Sequence, residues 1–135
     1  MSDLTTLLAL AERCEQAAGP DRELDAEIAL AIGYTREKKG RQRIAWWRNP
    51  KGQQLGYDGW HNFPPSFTAS LDAAVTLVPE GWGYELRQGN SGARRALCRM
   101  WDGRGIWTRG TVAATPALAL CAAALLATAA LGEKE

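Results

Sequence analysis

Tyr84-Glu-Leu-Arg-Gln88, followed by Ala96-Leu-Cys-Arg-Met-Trp101 and Ile106-Trp-Thr-Arg-Gly-Thr-Val112, decides the fold class, because here the period of the chain changes. These runs are rich in aromatic and branched residues and show none of the three-to-four-residue recurrence of a helix. Asn90-Ser91-Gly92 and Asp102-Gly103 supply turn chemistry between them, so the three runs read as an antiparallel meander.

The segments on either side read as helices. A first helix is predicted from about Asp3 to Ala18, capped by Ser2 or Asp3, with Leu4, Leu7, Leu8 and Ala11 as its apolar stripe and Gly19-Pro20 as its stop. A second spans about Asp21 to Ile32, with Leu24, Ile28, Ala31 and Ile32 on one face, acids in its first turns and Gly33 at its end. A third starts near Ser70 with Leu71, Ala74, Val75 and Val78 as its face and yields at Pro79. The last has the clearest start, Thr115 as N-cap and Pro116 at the first helical position, with Leu118, Cys121, Ala122 and Leu125 in register and Gly132 closing it. Between the second and third helices only Arg43 to Arg48 reads as a strand, through Ile44, Trp46 and Trp47, and Asn49 to Pro65 reads as a long loop.

The predicted class is therefore α+β, with helices packed on a small, mainly antiparallel sheet in a sandwich-like α-β-α arrangement and the order α-α-β-α-β-β-β-α. Residues 1–135 read as one domain, an N-terminal helix over 1–20 leading into a core over 21–132. With 135 residues, 46% hydrophobic and 23% charged, the chain has enough apolar surface for one core without staples. Its three cysteines, Cys14, Cys98 and Cys121, are odd in number and never spaced as C-x-x-C, which points away from a disulfide framework or zinc site and toward a reducing cytoplasm. The N-terminal residues lack the basic-then-apolar pattern of a secretion signal. Residues 110–132 carry no charge and are long enough to span a bilayer, but alanine dominates them, so a buried helix is expected and no membrane partner.

The formal net charge of +1 hides a division along the chain. Residues 1–35 hold seven acids against two arginines, whereas residues 36–51 hold seven bases against Glu37. A second basic zone runs from Arg87 to Arg109. Such asymmetry marks a surface that meets something, or parts of the fold that neutralise each other.

No motif carries catalysis by itself. The single histidine, His61, stands beside Trp60 in the glycine-rich loop, and neither Cys98 nor Ser66 has flanking residues that would make it a nucleophile for that base. No phosphate-binding loop is present, and Gly103-Arg104-Gly105 sits between strands rather than before a helix. The acid pairs Asp21/Asp25 and Glu23/Glu27 read as solvated helix faces. No cofactor is implied. The most suggestive cluster is basic and aromatic together: Lys38, Lys39, Arg41, Arg43, Trp46, Trp47 and Arg48, extended by Trp60 and His61, with Arg94, Arg95, Arg99 and Trp101 as companions. Cations neutralise phosphates and flat rings stack on bases, which suits a nucleotide or single-stranded nucleic acid. The opposing reading puts the tryptophans in the core and the arginines on the wet face of a sheet.

Three stretches held in order, Asp21-Arg-Glu-Leu-Asp-Ala-Glu-Ile-Ala-Leu-Ala-Ile-Gly33, Pro64-Pro-Ser-Phe-Thr-Ala-Ser-Leu-Asp-Ala-Ala74 and Ala114-Thr-Pro-Ala-Leu-Ala-Leu-Cys121, resemble the phage ABA sandwich family over about residues 21–130. The resemblance implies a phage or prophage product with helices on a small antiparallel sheet, and it brings no catalytic residues. Joined to the charge division, it leads to the expectation of a non-enzymatic binding protein that occludes a host defence protein or sequesters a nucleotide signal. The alternatives are a nucleic-acid-binding accessory protein and a small enzyme using His61. A homo-oligomeric state stays open.

Overall fold

The computed structural model describes residues 4–38, 45–57, 65–88, 95–105 and 107–133. In chain order the elements are α1 (Leu4–Gln16), α2 (Arg22–Ala31), β1 (Thr35–Lys38), β2 (Ala45–Arg48), β3 (Gln54–Tyr57), α3 (Leu71–Val75), β4 (Gly83–Gln88), β5 (Ala96–Trp101), β6 (Thr111–Ala113) and α4 (Pro116–Glu133). The chain is α+β, and the expected order of helices and strands is kept, with two further strands, β1 and β3, flanking the one expected between the second and third helices, and with the last strand confined to Thr111–Ala113. The strand expected at 43–48 is the middle of a three-stranded antiparallel sheet, β1-β2-β3, and the later meander forms a second antiparallel sheet, β4-β5-β6.

The centre of the molecule is α4. Its residues Ala117 to Leu125, with Ala127 and Ala129, are all buried, so it is apolar on every side and not on one face as its spacing suggests. Alanine makes this workable: with only a methyl group at most positions, α1 and the second sheet both pack closely against the helix. Thr115 caps its start, its hydroxyl accepting the Leu118 N–H at 3.2 Å. No helix among the described residues is long and apolar enough to cross a membrane.

Against α4, α1 turns a face shifted from the expected one. Leu7, Leu10, Ala11 and Cys14 are buried, while Leu4 and Leu8 are exposed. Both stripes have helical spacing, and contact with α4 selects between them. In the short α3, Ser70 is the N-cap and Ala74 is buried, but Leu71 and Val75, four residues apart on one face, are exposed, and Leu77 beyond the helix is buried instead.

Two residues overturn expectations for the acidic second helix. Asp21 is its N-cap, accepting the Glu23 and Leu24 N–H groups at 3.0 and 3.2 Å. Asp25, read as a solvated acid, is fully buried: it accepts the Thr68 backbone N–H at 2.7 Å and an Arg22 N–H at 3.0 Å. Thr68 in turn donates its hydroxyl to the Asp21 carbonyl and accepts the Asp21 N–H. The carboxylate thus satisfies a backbone donor that burial would otherwise orphan.

The stretch after Asn49 is not one long loop. Asn49 accepts the N–H groups of Lys51 and Gln53 at 3.0 and 2.9 Å on its side-chain oxygen, and Gly52 takes a φ of 85°, making a tight turn from β2 into β3.

Candidate functional site

The first sheet receives part of the expected basic and aromatic cluster. Adjacent residues on a strand point to opposite faces, so Trp46 and Trp47 cannot both stand outward. Trp47 is the inward one, fully buried, with the Arg36 guanidinium 5.8 Å from its ring centroid. It is a core residue and offers no ring face to a ligand. Trp46 and Arg48 are half-buried, and Arg48 donates to the Gly52 carbonyl at 3.1 Å and lies 3.8 Å from Glu37. Lys38 ends β1. Lys39, Arg41, Arg43, Trp60 and His61 lie outside the described residues, as does Arg94.

The second sheet carries the more pronounced exposed cluster. Along β5, Ala96, Cys98 and Met100 turn inward to α4, and Leu97, Arg99 and Trp101 turn outward. Pairing places Glu85 beside Arg99, Arg87 beside Leu97 on one side and Val112 beside Leu97 on the other. After β5 the chain makes a turn in which Asp102 accepts the Arg104 N–H at 2.7 Å and Gly103 and Gly105 adopt φ of 82° and 98°. It returns antiparallel, so that Met100 donates its N–H to the Thr108 hydroxyl at 2.9 Å and accepts the Thr108 N–H at 2.8 Å. That return sets Trp107 opposite Trp101.

The result is an aromatic pair outside the core. The Trp101 and Trp107 rings are stacked at 17° with centroids 5.9 Å apart, and the Arg99 guanidinium lies 4.3 Å from the Trp107 centroid. The two tryptophans keep 40% and 43% of their surface exposed, and Leu97 and Val112 extend the face with 37% and 42%. Glu85 accepts from Arg99 at 3.1 Å and from Arg87 at 2.6 Å, and the Arg99 hydrogen bond leads in holding its carboxyl below the usual range. The face is thus aromatic at one end, aliphatic at the other and charged between. Arg99 and Trp101 stood in the sequence only as companions of the cluster around Trp46. Their strand alternation with buried Ala96, Cys98 and Met100 is the signal that puts them on one surface.

The sheet is fastened to α1 by Glu15, which accepts two bonds from Arg109, at 2.8 and 2.9 Å, and the Val112 N–H at 3.3 Å. Arg95 adds a bond to the Glu15 carbonyl at 3.0 Å. The Arg109 hydrogen bond leads in pulling the Glu15 carboxyl down.

The three cysteines are all buried. Cys121 donates to the Phe67 carbonyl at 3.1 Å; its hydrogen bond with Cys14, and then burial, push its thiol pKa up. Burial pushes Cys98 up to about 12. Protonated, buried thiols are poor nucleophiles. Among the described residues no group of histidine, cysteine and acidic side chains is placed to hold a metal ion. A cavity of about 290 Å³ lies between the start of β4 and the end of α4, lined by Glu80, Gly81, Trp82, Asp102, Arg104 and Leu131. It mixes two carboxylates with one guanidinium and favours neither anion nor cation. Compared with known protein-family models, curated proteins and solved structures, the chain gives no match.

Proposed function

We propose that the chain is a phage or prophage protein that acts by binding rather than by turnover, occluding a host defence protein with the outward face of the second sheet. The observation that carries this reading is the exposed stack of Trp101 and Trp107 with Arg99 against it. Tryptophan and arginine dominate the energetic centres of protein interfaces, since each brings large contact area with a fixed shape. Here Arg99 and Trp101 stand on a strand whose opposite side chains, Ala96, Cys98 and Met100, are fully built into the core, and Trp107 is set against Trp101 by the returning chain. Support for the phage setting comes from the resemblance of residues 21–33, 64–74 and 114–121, and the helices on antiparallel strands agree with the architecture it implies.

A nucleotide or single-stranded nucleic acid is the second reading, favoured by the same stacked rings with Arg99 against them and by the basic residues of 36–51. The test is to express the chain in bacteria carrying different defence systems and measure plating of a phage those systems restrict. Restored plating that is lost in Trp101→Ala/Trp107→Ala supports the first reading. Fluorescence titration with single-stranded oligonucleotides, weakening steeply with salt, supports the second. A chain inert in both assays overturns both, and turnover abolished by His61→Ala would replace them with an enzyme.

A further inference from the structure

We propose that two copies of the chain associate through the free edge of β4, joining their second sheets into one six-stranded antiparallel sheet about a two-fold axis at Leu86. β4 is the outer strand in the order β4-β5-β6, and among the described residues no strand pairs with its other side.

The hydrogen-bond directions follow from Met100. Its N–H and C=O both bond to Thr108, on the side of β5 away from β4. Backbone groups alternate along a strand, so Leu97, Arg99 and Trp101 face β4 and bond to their partners Arg87, Glu85 and Gly83. Tyr84, Leu86 and Gln88 therefore turn their N–H and C=O groups to the open edge.

Charge then selects the register. Centred on Leu86, a two-fold antiparallel pairing sets Leu86 against itself as a hydrogen-bonded pair and Tyr84 against Gln88. It also sets Glu85 against Arg87 twice, on the outward face, where the non-hydrogen-bonded geometry brings side chains closest. Centred one residue earlier or later, the pairing sets Glu85 against Glu85 or Arg87 against Arg87. Charged edge strands ordinarily keep sheets apart through like signs. Opposite signs two residues apart make this edge complementary to its own copy, as an isologous interface requires.

The cover beneath the sheet points the same way. The inward side chains of β5, Ala96, Cys98 and Met100, are buried to within 1%, whereas on β4 Tyr84 is 44% exposed and Leu86 only half-buried. A second copy would bring the Tyr84 and Leu86 side chains of both chains together where α4 leaves them uncovered. It would also place two Trp101/Trp107 stacks on one continuous face, roughly 25 Å apart for strands 4.8 Å from each other and a rise of 3.4 Å per residue.

Sedimentation equilibrium of the full chain tests this, with circular dichroism confirming that each variant folds. The wild type is expected to form a concentration-dependent dimer. Glu85→Arg and Arg87→Glu, each setting like charges opposite one another, are expected to weaken it about tenfold or more. Mixed in equal amounts, the two variants are complementary and are expected to pair with each other. A chain that stays monomeric at every concentration overturns the proposal. So does a dimer that both single reversals leave unchanged, or a mixture that associates no better than its components.

Discussion

Asp25 and Thr68, 43 residues apart in the chain, are joined by a 2.7 Å hydrogen bond from the Thr68 backbone N–H to a fully buried carboxylate. With the Asp21–Thr68 bonds, it locks the start of α2 to the turn before α3. Asp25→Ala leaves that N–H buried without an acceptor, at a cost of about 2 to 3 kcal/mol. Asp25→Asn keeps an acceptor oxygen and gives up the charge that pairs with Arg22, so it is expected to cost less. Urea unfolding followed by far-UV circular dichroism orders the two variants; equal losses would contradict the role of the backbone donor.

Glu15 predicts how stability responds to acid. Its folded pKa is depressed, with the Arg109 hydrogen bond as the leading cause, so its contribution is fully present above the unfolded value near 4.5 and is lost as the pH falls through the folded value. The wild type is expected to lose stability progressively below about pH 4.5. Glu85 is shifted the same way, so the diagnostic quantity is the difference between wild type and Glu15→Gln. That difference should be roughly 1 kcal/mol at neutral pH, given the half-exposed guanidinium, and should shrink toward zero in acid. Thermal melts across the pH range read it directly.

How much of this was legible in the chain depends on the range of the interaction that builds each part. The N-cap and proline of α4 and the run of β5 are local signals, and they mark those elements at their observed starts. β1, Thr-Arg-Glu-Lys, is polar at every position and exists because β2 pairs with it; β3, Gln-Leu-Gly-Tyr, has a glycine where a strand former would announce it. Asp25 looks like its exposed neighbours because its partner comes from another segment. The two tryptophans of β2 show that one ring goes in and one out, yet which one is fixed by packing beyond the strand.

The thiols give a prediction that separates burial from reactivity. Cys14, Cys98 and Cys121 are all buried, and the Cys98 and Cys121 thiols are pushed toward the protonated form. The folded protein at neutral pH should therefore resist labelling by a thiol-exchange reagent, and all three cysteines should react once denaturant unfolds it. Fast labelling of a single site in the native protein would show that a core segment opens locally on the timescale of the reaction.

Tryptophan substitutions should divide by face. Trp47 is enclosed, so Trp47→Ala opens a core cavity and is expected to cost about 3 to 5 kcal/mol. Trp101 and Trp107 retain 40% and 43% exposure; Trp101→Ala forfeits part of a stacked contact and some area against the turn, at about 1 kcal/mol. The same substitution removes one half of the proposed binding face. Stability and binding should thus be affected in opposite proportion: Trp47→Ala should unfold the protein readily, and Trp101→Ala should lower its melting by only a few degrees while weakening binding of the partner. Chemical denaturation paired with the plating assay measures both quantities. A stable Trp101→Ala chain with undiminished activity would move the binding surface off the second sheet.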